Sequence, residues 1–219
     1  YYCVLDDIDL FGYQWTPCDF TGTLIGDNVT VSNLTIEAES GNAGMFLNMK
    51  GTIRNLKFEN LRVTSTAYDA VNVGGICAVL NGTIENVEIA SGRITANNSS
   101  AGAFAGYMEG GRIKNCTNSA EVHGTANDDG RGTGGFAGVV KSGELAALTN
   151  YGAVSGGKYV GGLAGRTTGD GVVLGNNLEN MAAVEGTGNY VGGLLGYYSR
   201  TGDYNIFDLT NCAAVSGVD

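Results

Sequence analysis

Hydrophobic and polar residues alternate with a period of two in short stretches along this chain, and the stretches recur about every 30 residues. Clusters of Gly, Asn, Ser and Asp separate them. Period-two alternation between such turn-forming residues is typical of β-strands. Because no long stretch shows a persuasive 3.6-residue period, we expect few helices.

The clearest repeat is a glycine pair followed by an apolar residue, as in KYVGGLAGR (158–166) and NYVGGLLGY (189–197). Aligned on the first large apolar residue, this segment recurs at spacings of 31, 28, 32, 27 and 31 residues. A repeat near 30 residues with loop-sized scatter indicates a solenoid or another array. The apolar column consists of Met45, Ile76, Phe104, Phe136, Leu163 and Leu194.

A second segment of each unit places an Asn-rich column before an apolar column. The first column is Asn33, Asn55, Asn86, Asn115, Ala147, Asn177 and Asp208, and the second is Leu34, Leu56, Val87, Cys116, Leu148, Leu178 and Leu209. Two positions later, the residues are Ile36, Phe58, Ile89, Asn118, Asn150, Asn180 and Asn211. A third apolar column follows in the last four units, at Val122, Val154, Val184 and Val215.

These columns predict an all-β fold, a single-stranded parallel β-helix of about seven rungs. Parallel rungs stack at roughly 4.8 Å, so apolar columns form a continuous core and amide columns hydrogen-bond along the axis. We expect one domain over residues 1–219, with an irregular N-terminal cap (1–27) and stacked repeats (28–219). The glycine pairs are interpreted as scaffold, which allows positive φ or close packing at one corner. Since the last unit has no distinct cap, we expect a longer polypeptide or a covering chain.

The segments YVGGLAG and YVGGLLG, followed by NLENMAAVEG and DLTNCAAVSG, resemble the GLUG motif of bacterial cell-surface proteins. Those proteins include the non-catalytic repeats of immunoglobulin A proteases. The segment IDLFGYQWTPCDFTGTLIGDNVTVSNLTI (8–36) resembles their opening unit, and Phe20, Gly22 and Gly26 match its pattern. The resemblance implies a right-handed parallel β-helix on a bacterial surface, often in adhesin-like proteins, without catalytic residues.

The charge, hydropathy and cysteine spacing of the chain argue against several classes of binding partner. A net charge of −10 argues against nucleic acid, since phosphate binding requires clustered cations. No apolar run approaches the roughly 18 residues that span a bilayer, so we expect no membrane insertion within this chain. The five cysteines lack metal-ligand spacing. Cys3 and Cys18 are close enough in sequence to form a disulfide, and the sequence leaves that open.

Catalytic and cofactor motifs are weak, so we expect a non-enzyme without a cofactor. The chain has one histidine, His123, and no GxSxG segment, and its glycine segments lack the Walker A pattern. Parallel β-helices also carry polysaccharide lyases and glycoside hydrolases, so such an enzyme is an alternative. Hydrolysis of a glycosidic bond requires two carboxylates about 5–10 Å apart, and the acidic residues here share no column in adjacent units. Calcium at the turn aspartates of NDDG (127–130), GDG (169–171) or TGDYN (201–205) is a further alternative.

Tyrosines provide the positive indication of ligand contact, because each combines a flat apolar face with a hydroxyl. The candidate binding residues are Tyr107, Tyr197, Tyr198 and Tyr204, while Tyr159 and Tyr190 are expected to stack on each other. We therefore expect a non-catalytic, adhesin-like module outside the cell, on a bacterial surface. It would bind a glycan or a host or matrix protein through one lateral face. A structural stalk that presents another domain is the alternative.

Overall fold

The structure, a computed structural model, describes residues 1–67, 71–199 and 208–217, and every helix or strand in these ranges is a β-strand. The predicted all-β class is confirmed. The strands are β1 (Tyr2–Val4), β2 (Ile8–Asp9), β3 (Cys18–Phe20), β4 (Thr23–Ser32), β5 (Thr35–Ala38), β6 (Phe46–Met49), β7 (Thr52–Glu59), β8 (Leu61–Ser65), β9 (Asn72–Gly74), β10 (Cys77–Leu80), β11 (Thr83–Ile89), β12 (Gly92–Ala96), β13 (Ser100–Gly102), β14 (Ala105–Met108), β15 (Arg112–Asn118), β16 (Glu121–Gly124), β17 (Thr133–Gly134), β18 (Ala137–Asn150), β19 (Val154–Gly156), β20 (Val160–Gly161), β21 (Ala164–Leu174), β22 (Leu178–Asn180), β23 (Val184–Gly186), β24 (Val191–Gly192), β25 (Leu195–Tyr198), β26 (Leu209–Asn211) and β27 (Val215–Ser216).

Each turn of the chain passes through four faces before it returns beside itself. In one turn, β10, β11, β12 and β13 form the first to fourth faces, and β14 then pairs in parallel with β10. The first-face pairings reproduce the residue spacings of the sequence repeat. On the third face, seven described strands stack in the order β5, β8, β12, β16, β19, β23, β27. The prediction of a parallel β-helix of about seven rungs is confirmed.

The predicted apolar column forms the corner between the fourth and first faces. Ile76, Phe104, Phe136 and Leu163 are fully buried there. The rings of Phe104 and Phe136 stack with their centroids 4.8 Å apart and their planes 20° apart. Burying a large apolar side chain contributes roughly 1.5–3 kcal/mol, so this continuous column is a major source of stability.

The first unit is aligned differently from the sequence prediction. Phe58 is in register with Val31 on the second face and not with Ile36. Ile36 lies on the third face, where it pairs with Val63. Two adjacent segments carry the same Asn-apolar-x-apolar pattern, so the pattern cannot distinguish these faces. The third apolar column consequently runs through all seven units rather than the last four.

Positive φ angles are found in the Asn-rich column and not in the glycine pairs. Asn55, Asn86 and Asn115 have φ angles of 57°, 53° and 51°, and each bends the second face. Asn tolerates this left-handed conformation because its short side chain hydrogen-bonds locally. The glycine pairs instead permit close approach. A Cβ on Gly162 would lie 2.2 Å from the carbonyl oxygen of Gly193.

A buried ladder of amides runs through the later turns, as the sequence predicts. Asn118, Asn150 and Asn180 are fully buried. The Nδ2 of each donates to Oδ1 of the next ladder residue at 2.8 Å, and the last acceptor is Asn211. Each Nδ2 also donates to the backbone carbonyl two residues later, at 2.8–2.9 Å. The ladder thereby satisfies polar groups that would otherwise be costly to bury.

The N-terminal segment adds to the parallel stacking. Strands β1 and β2 both pair in parallel with β4, and β3 pairs with β6. Asp9 Oδ1 accepts hydrogen bonds from Asn33 Nδ2 (2.7 Å) and from the backbone N–H of Phe11 (2.9 Å), which together lower the pKa of Asp9. Residues 1–27 thus contain regular strands, and β4 crosses residue 27. The boundary of the cap stays a prediction.

All five cysteines are free thiols in this structure, Cys3 and Cys18 included. Cys77 and Cys116 are buried in the core. Burial raises the pKa of both thiols, that of Cys116 to about 12, so both behave as small apolar side chains.

Replacing the central amide, Asn150→Ala, should lower the free energy of unfolding by about 3 kcal/mol or more. The substitution leaves the amide of Asn118, the Oδ1 of Asn180 and the carbonyl of Gly152 without their partner, and each unsatisfied group costs about 1–3 kcal/mol. Denaturant unfolding followed by circular dichroism measures the change. The matched control is Asn211→Ala at the exposed end of the ladder, where water can replace the acceptor that Asn180 loses, so the cost should be about 1 kcal/mol or less. Equal effects at both positions would show that burial of the ladder adds nothing.

Gly162→Ala should destabilise the fold by about 3 kcal/mol or abolish soluble expression, since overpacking against fixed backbone is costly. Its Cβ would overlap both the carbonyl oxygen of Gly193 and Cγ of Asn180, at 2.2 and 2.4 Å. Gly130→Ala is the control, since the nearest atom to that Cβ lies 3.8 Å away. Thermal unfolding of the two variants compares them, and a stable Gly162→Ala protein would contradict the close-packing role.

Candidate binding surface

The predicted binding tyrosines that the structure describes lie in strands of the first face. Tyr107 lies in β14, and Tyr197 and Tyr198 lie in β25. Tyr198 is in register with buried Thr167, so it extends a column that is buried in the preceding turns. Tyr204 falls outside the described residues.

Tyr107 and Tyr197 share one column along the helix axis. Val139 pairs with Tyr107, Arg166 pairs with Val139, and Tyr197 pairs with Arg166. Three steps at the strand spacing separate the two tyrosines, which gives roughly 14 Å. Two of the predicted binding tyrosines therefore lie on one lateral face, and the cation of Arg166 lies between them in the column.

Three tyrosines form a compact group at the corner beside this column, and we call Tyr159, Tyr190 and Tyr197 the tyrosine cluster. The rings of Tyr159 and Tyr190 stack with centroids 4.8 Å apart and planes 4° apart, which confirms the predicted ladder. Tyr197 meets them edge-on, at 5.5 Å from Tyr159 and 5.2 Å from Tyr190. Both arrangements are favourable for aromatic rings.

Two cations lie against the tyrosine cluster. Cζ of Arg166 is 4.9 Å from the ring centroid of Tyr159 and 5.5 Å from that of Tyr197. Nζ of Lys158 lies 5.0 Å from the centroid of Tyr159 and 5.6 Å from that of Tyr190. Cation–π contacts of this kind contribute roughly 0.5–1 kcal/mol at exposed sites, so the cations help to hold the rings in place.

Asp129, in the loop between β16 and β17, connects to the tyrosine cluster. It forms an ion pair with Lys158 and accepts a hydrogen bond from Oη of Tyr159 at 3.2 Å. The hydrogen bond and charge of Lys158 hold the pKa of Asp129 below its usual value, and Asp129 in turn raises the pKa of Lys158. The loop is thereby fixed against the tyrosine cluster.

Both stacked tyrosines have an unusual backbone conformation. The φ angles of Tyr159 and Tyr190 are 57° and 66°, a left-handed region that costs a bulky residue about 1–2 kcal/mol. Ring stacking contributes about 0.5–1.5 kcal/mol and the cation contacts add to it, so the cluster offsets its own strain. Tyr159 is 6% exposed and serves packing, whereas Tyr190 is 47% exposed and presents a ring to solvent.

An open groove of about 430 Å³ adjoins Tyr107. Asn72, Ser100, Asp128 and Arg131 line it together with the tyrosine. Asp128 and Arg131 form an ion pair at 2.6 Å. This side of the helix therefore offers polar groups beside Tyr107 and aromatic groups beside Tyr190, with the loop of Asp128 and Asp129 between them.

The two aspartates of the NDDG turn form ion pairs with basic side chains of the chain itself. Arg131 pairs with Asp128, and Lys158 pairs with Asp129. In the described ranges, no group of three or more His, Cys, Asp or Glu side chains is arranged to hold a metal ion. The segment TGDYN lies outside those ranges. A calcium site at these aspartates finds no support in this geometry.

Acidic side chains on the faces of the helix alternate with cations along the axis. Glu85 is in register with Arg54 on one side and Lys114 on the other, and Arg112 pairs with Glu144 at 2.7 Å. None of the described strand pairings brings two carboxylates into register. Strand pairing in these ranges thus does not place two carboxylates side by side, which is one arrangement that could supply the pair for glycosidic hydrolysis.

His123 lies next to a serine on the third face. Its Nδ1 is 2.7 Å from Oγ of Ser155, and Glu185 is in register with Ser155 on the following strand. A catalytic triad requires the imidazole between the serine and the carboxylate. Here the serine lies between the other two, so the order does not suit a triad.

The sequence repeat does not single out the cations of the tyrosine cluster. The sequence nevertheless contained the information needed to place Arg166. It is the last residue of KYVGGLAGR, and Tyr197 is the last residue of the aligned segment NYVGGLLGY. Aligned positions of successive units become neighbours in a parallel β-helix, so these two residues had to meet. Asp129 could not be found in this way, since its loop occurs in one turn and has no counterpart in the repeat.

Comparison with known proteins agrees with this architecture. The family described as "The GLUG motif" matches residues 97–122, which form one turn through β13, β14, β15 and the start of β16. This chain carries a GLUG motif. The resemblance to GLUG-motif β-helix proteins, inferred from the repeat, is confirmed.

Two further proteins are similar to this chain. Halomucin from Haloquadratum walsbyi is 36% identical over 98 residues, which are 43% of this chain and 1% of halomucin. This chain thus spans about 1% of the length of that curated relative. A solved structure of a candidate immunoglobulin A1 protease from Bacteroides ovatus superposes with a TM-score of 0.68 at 19% identity, covering 98% of this chain and 71% of that one. At that identity the likeness shows the fold alone.

The GLUG motif and the match to halomucin together indicate a β-helix module of a cell-surface or extracellular protein. Within the described residues, no helix has the length and apolar character needed to cross a membrane.

The contact of Asp129 with Lys158 and Tyr159 should make stability depend on pH. Since the pKa of Asp129 is lower in the folded state, its carboxylate stabilises the fold above about pH 4 and loses this effect as the pH falls through the folded-state pKa. Asp129→Asn should therefore be less stable than the wild type at pH 7, and the difference should close toward pH 3. Urea unfolding at both pH values measures it.

The control is Asp6→Asn, which removes an exposed carboxylate outside the tyrosine cluster and leaves these contacts intact. A difference between Asp129→Asn and wild type that persists unchanged at pH 3 would contradict the ionic origin of the effect.

Proposed function

We propose that this chain is a non-catalytic, adhesin-like β-helix module displayed on the cell surface, which binds a host or matrix protein through its tyrosine face. The tyrosine face is the tyrosine cluster together with Lys158, Arg166 and Tyr107. The observation that carries the proposal is the exposed ring of Tyr190, which is held in a strained backbone conformation beside the ammonium group of Lys158. Residues held in rarely populated φ regions cluster at binding sites.

The composition of this face supports a protein partner. Tyrosine and arginine are the residue types most enriched at the energetic centres of protein interfaces. The guanidinium of Arg166 lies against the rings of both Tyr159 and Tyr197, so it is ordered before a partner arrives. An ordered side chain loses less conformational freedom on binding, which favours affinity. In a chain with a net charge of −10, Asp129 neutralises Lys158, and the charge of Arg166 gives this face a local positive character that suits an acidic partner surface.

A stalk is the second candidate, and the stacked ladder favours it. The parallel rings of Tyr159 and Tyr190 repeat the packing seen in the core at Phe104 and Phe136. On this alternative, the tyrosine cluster stabilises the corner of the solenoid and has no partner. A direct binding measurement distinguishes the two candidates.

The test immobilises the purified chain and measures binding of collagen, fibronectin, laminin and mucin by biolayer interferometry. We expect one of these proteins to bind, and Tyr190→Ala to weaken that binding at least tenfold, since loss of a central interface residue costs more than 1 kcal/mol. The matched control is Tyr151→Ala, because Tyr151 is also exposed (58%) but lies outside the tyrosine cluster. It should leave the affinity unchanged.

Two results would remove the proposal. If the wild-type chain binds none of the four proteins at micromolar concentration, the stalk becomes the better interpretation. If Tyr151→Ala and Tyr190→Ala weaken binding equally, the partner does not contact the tyrosine face. Thermal unfolding of both variants must accompany the measurement, since Tyr190→Ala also removes ring contacts within the fold.

A further inference from the structure

A second groove lies at the other end of the chain from the tyrosine face. Its volume is about 490 Å³, within the range of small-molecule sites. The segment Leu10–Trp15 forms one wall, and outward side chains of β5 and β8 lie opposite, on the third face. We call it the N-terminal groove. It is lined by Leu10, Phe11, Gly12, Tyr13, Gln14, Trp15, Asn33, Thr35, Glu37, Asn60 and Arg62.

The aromatic wall of the N-terminal groove is fixed at both ends. The backbone N–H of Leu10 donates to the carbonyl of Ser32 at 2.9 Å, and Nε1 of Trp15 donates to the carbonyl of Met45 at 2.8 Å. Between them, the N–H of Tyr13 donates to the carbonyl of Leu10 at 3.0 Å, around Gly12 with a φ of 77°. A loop that is already ordered adds little entropic cost to binding.

Two aromatic rings on this wall face solvent. Phe11 is 79% exposed and Tyr13 is 72% exposed, while Trp15 is partly buried against the core. Three aromatic residues within five positions around one turn form a broad apolar surface. Exposed apolar surface of this extent beside polar groups is characteristic of ligand sites.

The floor of the N-terminal groove is a connected series of polar groups. Nε of Arg62 donates to Oδ1 of Asn60 at 2.9 Å, and Nδ2 of Asn60 donates to Oδ1 of Asn33 at 2.7 Å. Nδ2 of Asn33 in turn donates to Asp9. This series fixes the orientation of each amide and of the guanidinium, so their remaining donors and acceptors point in defined directions.

One carboxylate and one hydroxyl on the floor remain free for a ligand. In the described part of the chain, neither the Glu37 carboxylate nor the Thr35 hydroxyl has a hydrogen-bond partner. Glu37 and Arg62 are the charged side chains that line the N-terminal groove, and their charges balance. The chain as a whole carries a net charge of −10, which disfavours an anionic ligand.

We propose that the N-terminal groove binds a neutral oligosaccharide. A pyranose ring has an apolar face of C–H groups, which packs against aromatic rings such as those of Phe11 and Tyr13. Its hydroxyls each donate and accept, and they suit a carboxylate, an amide and a guanidinium in a fixed arrangement. This site goes beyond the protein interface proposed above, because it shares no residue with the tyrosine face and takes a different class of ligand.

The chain's single tryptophan provides a direct measurement, because Trp15 lines the N-terminal groove. The emission of Trp15 is followed while purified chain is titrated with cello-oligosaccharide, xylo-oligosaccharide or oligomers of N-acetylglucosamine, and with oligogalacturonate as the acidic comparison. We expect at least one neutral oligosaccharide to change the emission saturably. The double variant Phe11→Ala/Tyr13→Ala should weaken its binding at least tenfold, and Glu37→Gln should weaken it severalfold.

The controls separate this site from the tyrosine face and from misfolding. Tyr190→Ala should leave the sugar affinity unchanged, whatever its effect on protein binding. The rings of Phe11 and Tyr13 are exposed, so their removal should not alter the unfolding temperature. The proposal is overturned if no neutral oligosaccharide changes Trp15 emission at millimolar concentration. It is also overturned if oligogalacturonate binds more tightly than every neutral sugar, or if the double variant binds as the wild type does.

Discussion

Stacking of equivalent positions in register is the constraint on which the rest of this molecule depends. Successive turns lie about 4.8 Å apart, so each side chain meets the residue at its own position in the turns before and after. A position that is apolar in one turn must be apolar in the next, and a buried amide needs another amide beside it. The phenylalanine stack, the asparagine ladder and the tyrosine cluster are three chemical solutions to this one requirement.

The change from an apolar column to an amide column shows how such a requirement can be relaxed. Ile89 is in register with Asn118, so the first amide of the ladder has an aliphatic neighbour on one side. Asn118 compensates within its own turn, because its Oδ1 accepts from the backbone N–H of Ala120 at 3.1 Å. The polar series can therefore begin in a dry environment without leaving its first acceptor unsatisfied.

Much of the fold could be predicted from sequence, because equivalent positions of successive repeats become neighbours in a parallel β-helix. The spacing of the glycine segments equals the spacing of the first-face pairings, and the amide ladder follows from one column. The first unit was misaligned because the segments around Val31 and Ile36 have the same pattern, and only pairing with Phe58 or Val63 distinguishes them. For the glycine pairs the sequence left positive φ or close packing open, and the structure shows close packing, while the Asn-rich column adopts positive φ.

The candidate binding surfaces were harder to predict from the sequence, for a physical reason. The repeat indicates which residues meet between turns, and this was enough for Tyr159 and Tyr190. It carries no information on loops that occur once, and both Asp129 and the segment Leu10–Trp15 are of that kind. The roles of Tyr107, Tyr197, Tyr198 and Tyr204 in binding remain predictions.

The alternating charges along the second face affect which turns can stack on each other during folding. Arg54, Glu85 and Lys114 occupy the same position in three consecutive turns. A folding chain that omitted the middle turn would place Arg54 directly against Lys114, so two like charges would oppose each other across adjacent strands. Apolar columns alone would tolerate such an error, since one aliphatic residue stacks on another almost as well as on its proper neighbour. The alternating charges thus destabilise a misfolded solenoid in which one turn is left out of the stack.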